Sequence, residues 1–387
     1  MTNNWDKIRN ISSGLKGLTT IGASDIAGSV IGAVFWFYMA SLLGAENYGQ
    51  LSYFISIASI ASTISLLGTE NVISVYVPKN VRLESTIYLL TIIIGLFAAL
   101  ILFFMFSNVG ISAYVLGAII VGLGATEILA KRMYSSYSKY IIIQKILMVV
   151  LSIGFYHVMG INGVLLGLGV SFFPYLIRIY KGFKESKIDF SILKGRTGFM
   201  INSYLLNLSS TFTGSIDKLI ILPLVGFALL GNYQLGIQFM SILTILPSIV
   251  YKYILPRDAS GLSNTKLKQV TVILSIGLAV LGIFLSPIII PIMFPAYKEA
   301  IEVVQIMSIA TIPSTINLMF VSKFLAAERN RVILISTGIH MFVLILFIFL
   351  LGKTFGIDGM STALVLAISM ETIYYCIVDK VKRKTVI

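Results

Sequence analysis

Charged residues are scarce in this chain of 387: Asp, Glu, Lys and Arg make up 12% of it, while 57% is hydrophobic and the mean hydropathy is +0.95. Soluble domains carry about 25% charge, so a soluble globule is excluded and an integral membrane protein remains. Cysteine is nearly absent. The single thiol, Cys376, falls inside an apolar run, which excludes an intrachain disulfide. The first ten residues are polar and lack a cleavable apolar core, so no secretory signal is expected and the first span acts as the insertion signal. No glycine-rich nucleotide loop, HExxH, GxSxG or CxxC pattern occurs, and His157 and His340 have no metal-ligand neighbours at useful spacing. Neither an enzyme nor a cofactor is therefore expected.

What the chain does have is a run of apolar segments with lysine and arginine crowding every second gap. The opening segment holds Lys7, Arg9 and Lys16, the second gap Lys79 and Arg82, and the fourth Lys131, Arg132 and Lys139. A cluster of six runs from Arg178 to Arg196, and later groups hold Lys252, Arg257, Lys266 and Lys268, then Lys323, Arg329 and Arg331, then Lys380, Lys382, Arg383 and Lys384. The intervening gaps hold Lys298 and Lys353 alone. Because cytoplasmic loops retain Lys and Arg during insertion, the alternation predicts twelve spans with both termini in the cytoplasm of a cell membrane. The same periodic placement explains the net charge of +13 without nucleic acid, which is not expected as a partner; anionic membrane lipids are.

The spans are expected at 14–43, 49–77, 85–106, 110–130, 137–158, 162–180, 198–225, 231–255, 269–293, 298–323, 332–352 and 359–379. The polar stretch after span six divides them into an N-terminal six-helix lobe (1–180), a cytoplasmic linker (181–197) and a C-terminal six-helix lobe (198–387). An internal repeat supports that division. A shift of 182 positions lays spans one and two on seven and eight, matching Gly32 with Gly214, Gly44 with Gly226, Gly49 with Gly231, Asp25 with Asn207 and Glu70 with Lys252. A shift of 196 matches Gly160-Ile161-Asn162-Gly163 with Gly356-Ile357-Asp358-Gly359. The expected architecture is all-α, with two pseudo-symmetric lobes related about an axis along the membrane normal. Pro247 and Pro313 are placed to bend their helices, whereas Pro287, Pro291 and Pro295 are expected to end span nine.

Polar residues three and four apart share a helix face, and four spans show such stripes. Span seven carries Ser203, Asn207, Ser210, Gly214 and Asp217, and span eight carries Gln234, Gln238, Ser241, Thr244, Ser248 and Lys252. Span two gives Ser52, Ser56, Ser59, Thr63 and Glu70; span one gives Lys16, Thr20, Ser24, Gly28 and Gly32. Facing stripes would line a hydrated central cavity, and the amides of Asn207, Gln234 and Gln238 need more partners than a helix offers. Close helix packing explains the glycines of span one equally simply. Asp25 sits about 16 Å into span one, near the midplane, where it would couple an ion, pair with Lys145 or stay protonated. Lys145 and Lys218 could meet an anionic ligand, although Lys218 could pair locally with Asp217. Glu127 and Glu371 read as hydrogen-bond partners within a lobe.

Leu43-Gly44-Ala45-Glu46-Asn47-Tyr48-Gly49 resembles the turn between the first two spans of Wzx-like polysaccharide flippases, which belong to the multidrug/oligosaccharidyl-lipid/polysaccharide exporter superfamily. The chain is similar to that family also at Ile216-Asp217-Lys218, Leu230-Gly231-Asn232-Tyr233, Leu255-Pro256-Arg257, Phe294-Pro295-Ala296-Tyr297 and Gly356-Ile357-Asp358-Gly359. The resemblance implies two lobes around a cavity lined by spans one, two, seven and eight, and transfer of a polyprenyl-diphosphate oligosaccharide between leaflets for surface polysaccharide biosynthesis. It further implies a polymerase and glycosyltransferases as partners, and cationic side chains, here Lys145, Lys218 and Lys252, on the diphosphate. The site expected is Ser24, Asp25, Lys145, Asn207, Asp217, Lys218, Gln234, Gln238 and Lys252, with Asp25 and Glu70 coupling an ion. A multidrug exporter of the same superfamily, which would use Asp25 and Glu70 on cations, stands as the alternative. A membrane-embedded polymerase or ligase is a further one, opposed by external loops of only about four to eight residues.

Overall fold

The computed structural model describes residues 4–262 and 264–385, with side chains described over 22–262 and 264–381. Among the described residues there is no strand. The helices are α1 (Asn4–Leu66), α2 (Thr69–Tyr76), α3 (Glu84–Phe106), α4 (Val109–Ala130), α5 (Tyr134–Met159), α6 (Ile161–Val170), α7 (Leu176–Glu185), α8 (Thr197–Thr213), α9 (Ile216–Leu243), α10 (Ile245–Ala259), α11 (Thr265–Met293), α12 (Ala300–Ile309), α13 (Thr311–Ala326) and α14 (Asn330–Thr385). Nine helical stretches in the described residues are long and apolar enough to cross a bilayer. Three of them, Gly22–Leu66, Thr197–Leu243 and Asn330–Val381, run to 45, 47 and 52 residues, about twice the 20 that one crossing needs. Each of the three bends at a glycine of positive φ, Gly44, Gly226 and Gly356, and counts as two spans. The described residues therefore form an all-α, multi-pass membrane fold with twelve transmembrane helices.

The bends reproduce both sequence repeats in the backbone itself. Gly44 has φ 71 and ψ 173, and Gly226, 182 positions on, has φ 81 and ψ 177. Gly160 has φ 60 and ψ −137, and Gly356, 196 positions on, has φ 59 and ψ −134. Such combinations are open to glycine and strained for residues with a Cβ, so the glycines of the repeat mark turns that the chain makes twice. The second pair is reinforced two residues into the next helix. A Cβ on Gly163 would stand 2.0 Å from the Phe155 carbonyl oxygen, and one on Gly359 would stand 2.2 Å from that of Leu351, residues again 196 apart.

Packing gathers the chain into two units, which are not the sequence halves. The first comprises Met1–Phe35 and Phe54–Thr211, the second Trp36–Tyr53 and Phe212–Ile387. In the first, α4 packs on α3 and α6, and α6 on α5. Its basic end is tied by one carboxylate. Glu127, fully buried, accepts from Arg178 at 2.9 and 2.7 Å, from Lys131 at 2.6 Å and from the Tyr88 hydroxyl at 2.6 Å. Lys131 also pairs with Glu84 at 3.0 Å, and Arg178 with Glu185 at 2.9 Å. Glu84, Glu127 and Glu185 have the spacing of a metal triad, but the two cations already occupy the space among them.

The second unit packs α9, α12 and α14 around Ile221, Leu230, Tyr233, Val303, Met307 and Leu344. Within it the Gly44 turn meets the Gly226 turn: a Cβ on Gly49 would lie 2.0 Å from the Phe227 carbonyl oxygen, and one on Gly231 would lie 1.8 Å from that of Ala45. At the basic end Asp258 accepts from Lys268 at 2.5 Å, Ser322 at 2.7 Å and Asn264 at 3.2 Å.

Prolines act as expected at two places and otherwise at two others. The helix axis breaks at Thr244 and at Ala310, leaving Pro247 and Pro313 three residues later in the first turn of α10 and α13, where a missing N–H does no harm. Pro287 and Pro291 do not end span nine. They lie inside α11, which continues to Met293 and stops ahead of Pro295. Membrane helices tolerate internal proline where neighbours satisfy the freed carbonyls, and Gln305 Nε2 donates to the Ile283 carbonyl at 3.2 Å, the very group that Pro287 leaves without its partner.

Candidate translocation site

The span-one stripe falls partly outside the described side chains, which exclude Lys16 and Thr20. From Ser24 onward it packs against α5. Ser138 donates to the Ser24 hydroxyl at 3.1 Å, and the Tyr137 hydroxyl reaches Asp25 Oδ1 at 3.4 Å. Asp25 is half-buried. Two turns further along, the glycines of span one receive a lysine rather than another backbone. A Cβ on Gly28 would be 3.7 Å from Lys145 Cγ, and one on Gly32 would be 3.8 Å from Lys145 Nζ. The absent side chains thus leave a track along which the Lys145 stem lies. Among the described residues Lys145 makes no ion pair, with Asp25 or any other carboxylate.

Asn207 and Glu70 also lie in the first unit, and the structure brings them together. Asn207 Nδ2 donates to Glu70 Oε2 at 3.4 Å, and its Oδ1 accepts from Asn71 at 3.3 Å. A Thr63 to Thr211 hydroxyl pair at 2.9 Å continues the same polar seam. The other Glu70 oxygen sits against Gly122, where a Cβ would be 2.6 Å away. The amide stripe of span seven therefore meets the carboxylate of span two within one unit.

Asp217 and Lys218 behave differently. Both are buried in the second unit, with 3% and 8% of their surface exposed. Asp217 Oδ1 accepts from the Lys218 ammonium at 3.1 Å and from its backbone N–H at 2.8 Å, and Oδ2 accepts from the Tyr233 hydroxyl at 3.1 Å. Lys218 spends another donor on the Gly214 carbonyl at 2.8 Å. The local pair is the arrangement present. Gln234 is half-buried, with a buried Oε1 that has no donor, while Gln238 is half-buried and Lys252 exposed.

A second ionisable cluster surrounds Glu371, expected as a hydrogen-bond partner within a lobe, and adds His340, for which the sequence suggested no role. His340 and Glu371, on the two arms of α14, approach to 3.5 Å, and Ser336 and Tyr375 complete the group. Their spacings, four residues between Ser336 and His340 and four between Glu371 and Tyr375, are helical faces that a polar-stripe search over both arms would have joined.

Residues 15–122 match the family model described as "Polysaccharide biosynthesis protein". No curated protein matches the sequence. Among solved structures, the chain is similar to the lipid II flippase MurJ in an inward closed conformation, with 13% identity, 93% of this chain and 87% of that one covered, and a TM-score of 0.73. It is similar to an inward-facing multidrug-resistance MATE family transporter of the MOP superfamily, at 13% identity over 92% and 95% with a TM-score of 0.66. A MOP superfamily transporter from Pyrococcus furiosus, whose binding pocket is described as reversed in polarity, aligns at 14% identity over 95% of both chains with a TM-score of 0.61. The chain thus has the fold of the multidrug/oligosaccharidyl-lipid/polysaccharide exporter superfamily, a class of multi-pass membrane transporters. The resemblance to its Wzx-like branch, seen in the turn motifs, agrees with the match to a polysaccharide-biosynthesis model over residues 15–122.

Proposed function

We propose that the protein is a flippase that carries a polyprenyl-diphosphate-linked oligosaccharide across the cell membrane by alternating access, for surface polysaccharide biosynthesis. The observation that carries this reading is Lys145: a cation inside a membrane span, laid along the Gly28 and Gly32 track of span one, with no carboxylate to neutralise it among the described residues. An unpaired charge at membrane depth is expensive by about 2.5 to 3.5 kcal/mol even on the mildest scales, and a passing diphosphate would supply the missing partner. For the sugar hydroxyls the same reading assigns the hydroxyl, carboxylate and amide groups of Ser24, Asp25 and Asn207 in the first unit and of Gln234 and Gln238 in the second. Asp217, Lys218 and Lys252 are assigned to the same path, the first two reached when their local pair opens. The lobes that rock are 1–180 and 198–387, joined by 181–197, with both termini and the basic ends in the cytoplasm. Asp25 and Glu70 are the carboxylates assigned to ion coupling. A polymerase and glycosyltransferases are the partners that would consume and supply the substrate, and this chain itself makes or breaks no covalent bond.

The second reading, a cation-coupled multidrug exporter, draws on the MATE-family structural likeness and on the half-buried Asp25. One experiment separates the two. Purified protein in proteoliposomes is assayed for transfer of a fluorescent lipid-linked sugar and for efflux of a cationic dye. Sugar transfer that falls about tenfold in Lys145→Ala, with no dye efflux, is expected; dye efflux without sugar transfer would replace the first reading with the second.

A further inference from the structure

His340 is an imidazole buried to all but 7% in the second unit, and its Nδ1 has no hydrogen-bond partner. Glu371 Oε2 stands 3.5 Å away, just beyond hydrogen-bond reach. Both residues are deep. His340 is ten residues, about 15 Å, from the Asn330 end of α14, and Glu371 is eight residues, about 12 Å, from Asp379 near its other end. A buried ring nitrogen with no hydrogen-bond partner, facing a carboxylate at this depth, requires an explanation. We infer that His340 and Glu371 form a proton-binding site, in which His340 Nδ1 takes a proton and the resulting imidazolium N–H closes onto Glu371.

The surroundings supply hydroxyl partners and no competing charge. Glu371 Oε1 accepts from the Ser336 hydroxyl at 3.2 Å and from the Tyr375 hydroxyl at 3.3 Å, and Ser336 and Tyr375 are 2.5 Å apart. Tyr375 lies one turn and Asp379 two turns from Glu371 along the same helix face, and Asp379 is paired with Lys323 of α13 at the basic end. Tyr375, Ser336 and Glu371 therefore form a hydrogen-bonded group beside His340, on the helix face that continues through Asp379 to that end. The elements packed on α14 are α9, α12 and α13. Their charged groups are Asp217 and Lys218 on α9, paired with each other beside Tyr233, Glu302 on α12, which faces Asp358, and Lys323. On α14 itself the remaining titratable neighbours are Tyr374 and Cys376. Glu371 is the carboxylate that faces the imidazole, so a proton there creates a neutral ion pair instead of an isolated charge. That this proton drives transport rests on the proposed flippase function; that it binds does not.

The chain has two histidines, which makes the test direct. Full-length protein carrying isotope-labelled histidine is placed in nanodiscs, the His157 resonance is assigned with His157→Gln, and His340 is titrated from about pH 5 to 9. The expected result is a reversible titration whose midpoint falls by about one pH unit, a tenfold weaker proton affinity, in Glu371→Gln. Should Glu371→Gln fold poorly, Glu371→Asp, which draws the carboxylate back, gives a smaller fall in the same direction. A His340 resonance that does not titrate, or that ignores both changes at Glu371, overturns the site. For the coupling, lipid-linked sugar transfer is measured with and without an imposed pH gradient. Acceleration in wild type that disappears in His340→Gln supports it, and gradient-independent transfer overturns it. A titrating His340 in a protein that transfers no lipid-linked sugar removes the flippase reading and leaves the proton site.

Discussion

Gly231 lies against the carbonyl oxygen of Ala45 as Gly49 lies against that of Phe227, and each residue of the first contact is 182 positions from one in the second. The contact is its own image under the sequence repeat. Two turns of equal shape, each built on a glycine of positive φ, are here pressed backbone to backbone at distances that leave no room for a methyl group.

Gly231→Ala is accordingly expected to destabilise the protein by at least about 2 kcal/mol, since the clash is with backbone that cannot swing aside. Gly49→Ala should do the same. Gly277→Ala is the control, because a Cβ there meets nothing within 4 Å in α11, and it should be neutral or raise stability by up to about 1 kcal/mol. Thermal unfolding of the three purified variants in detergent checks the order; a Gly231→Ala midpoint equal to that of Gly277→Ala would show that the turns are not held together.

The Glu127 cluster predicts a different pattern. Glu127→Gln leaves Arg178, 6% exposed, with Glu185 as its remaining carboxylate, and is expected to lower stability by about 3 kcal/mol. A double replacement, Glu127→Leu with Arg178→Met, removes both charges together and should recover part of that loss. Unfolding midpoints that are lower in the double than in the single variant would mean that the network contributes net attraction rather than mutual relief of buried charge.

How much of this was legible in the sequence follows from what periodicity encodes. Lysine and arginine placement predicts the twelve spans, because insertion bias is a property of single residues; the repeat pairs Gly44 with Gly226, and Gly160 with Gly356, without saying that the chain bends there. The partners were not legible. Residues 36–53, the end of span one, its turn and the start of span two, pack with the C-terminal helices, and 197–211 pack with the N-terminal ones, since a stripe names a face and not what covers it. His340 and Glu371 are 31 residues apart on opposite arms of a bent helix, so a stripe search finds each face in its own arm and only the bend at Gly356 brings the two together. Pro287 misled for a related reason: the Ile283 carbonyl that it frees is met by Gln305, from another helix, as well as by Ser286, and the sequence does not show the first of these.

Asp258 gives a pH dependence whose sign can be stated. Burial pushes its carboxyl up, but the hydrogen bonds from Lys268, Ser322 and Asn264 together hold it below the ordinary value of 3.8. A carboxylate held down in the folded state contributes stability that is fully present above its unfolded value and is lost as pH falls through its folded value. Wild type should therefore lose thermal stability on acidification below about pH 4, and Asp258→Asn should lose less over that interval while starting lower at neutral pH. Parallel curves for the two proteins would take Asp258 out of the acid response.

Lys145 and Gly32 should fail together. The Lys145 ammonium lies 3.8 Å from where a Gly32 Cβ would be, so Gly32→Ala adds a methyl at ordinary contact distance and should leave lipid-linked sugar transfer within about twofold of wild type. Gly32→Val adds two further carbons on the face that carries the lysine stem and must displace the ammonium. If Lys145 holds the diphosphate, Gly32→Val should then lose transfer about as severely as Lys145→Ala, roughly tenfold, and Lys145→Arg should retain more than either, since a guanidinium also carries the charge and binds phosphate oxygens in pairs. The measurement is initial transfer rate in proteoliposomes at matched protein incorporation, with the unfolding midpoint taken alongside. Full transfer by Gly32→Val at an unchanged midpoint would separate the glycine track from the lysine, and full transfer by Lys145→Ala would remove the cation from the path.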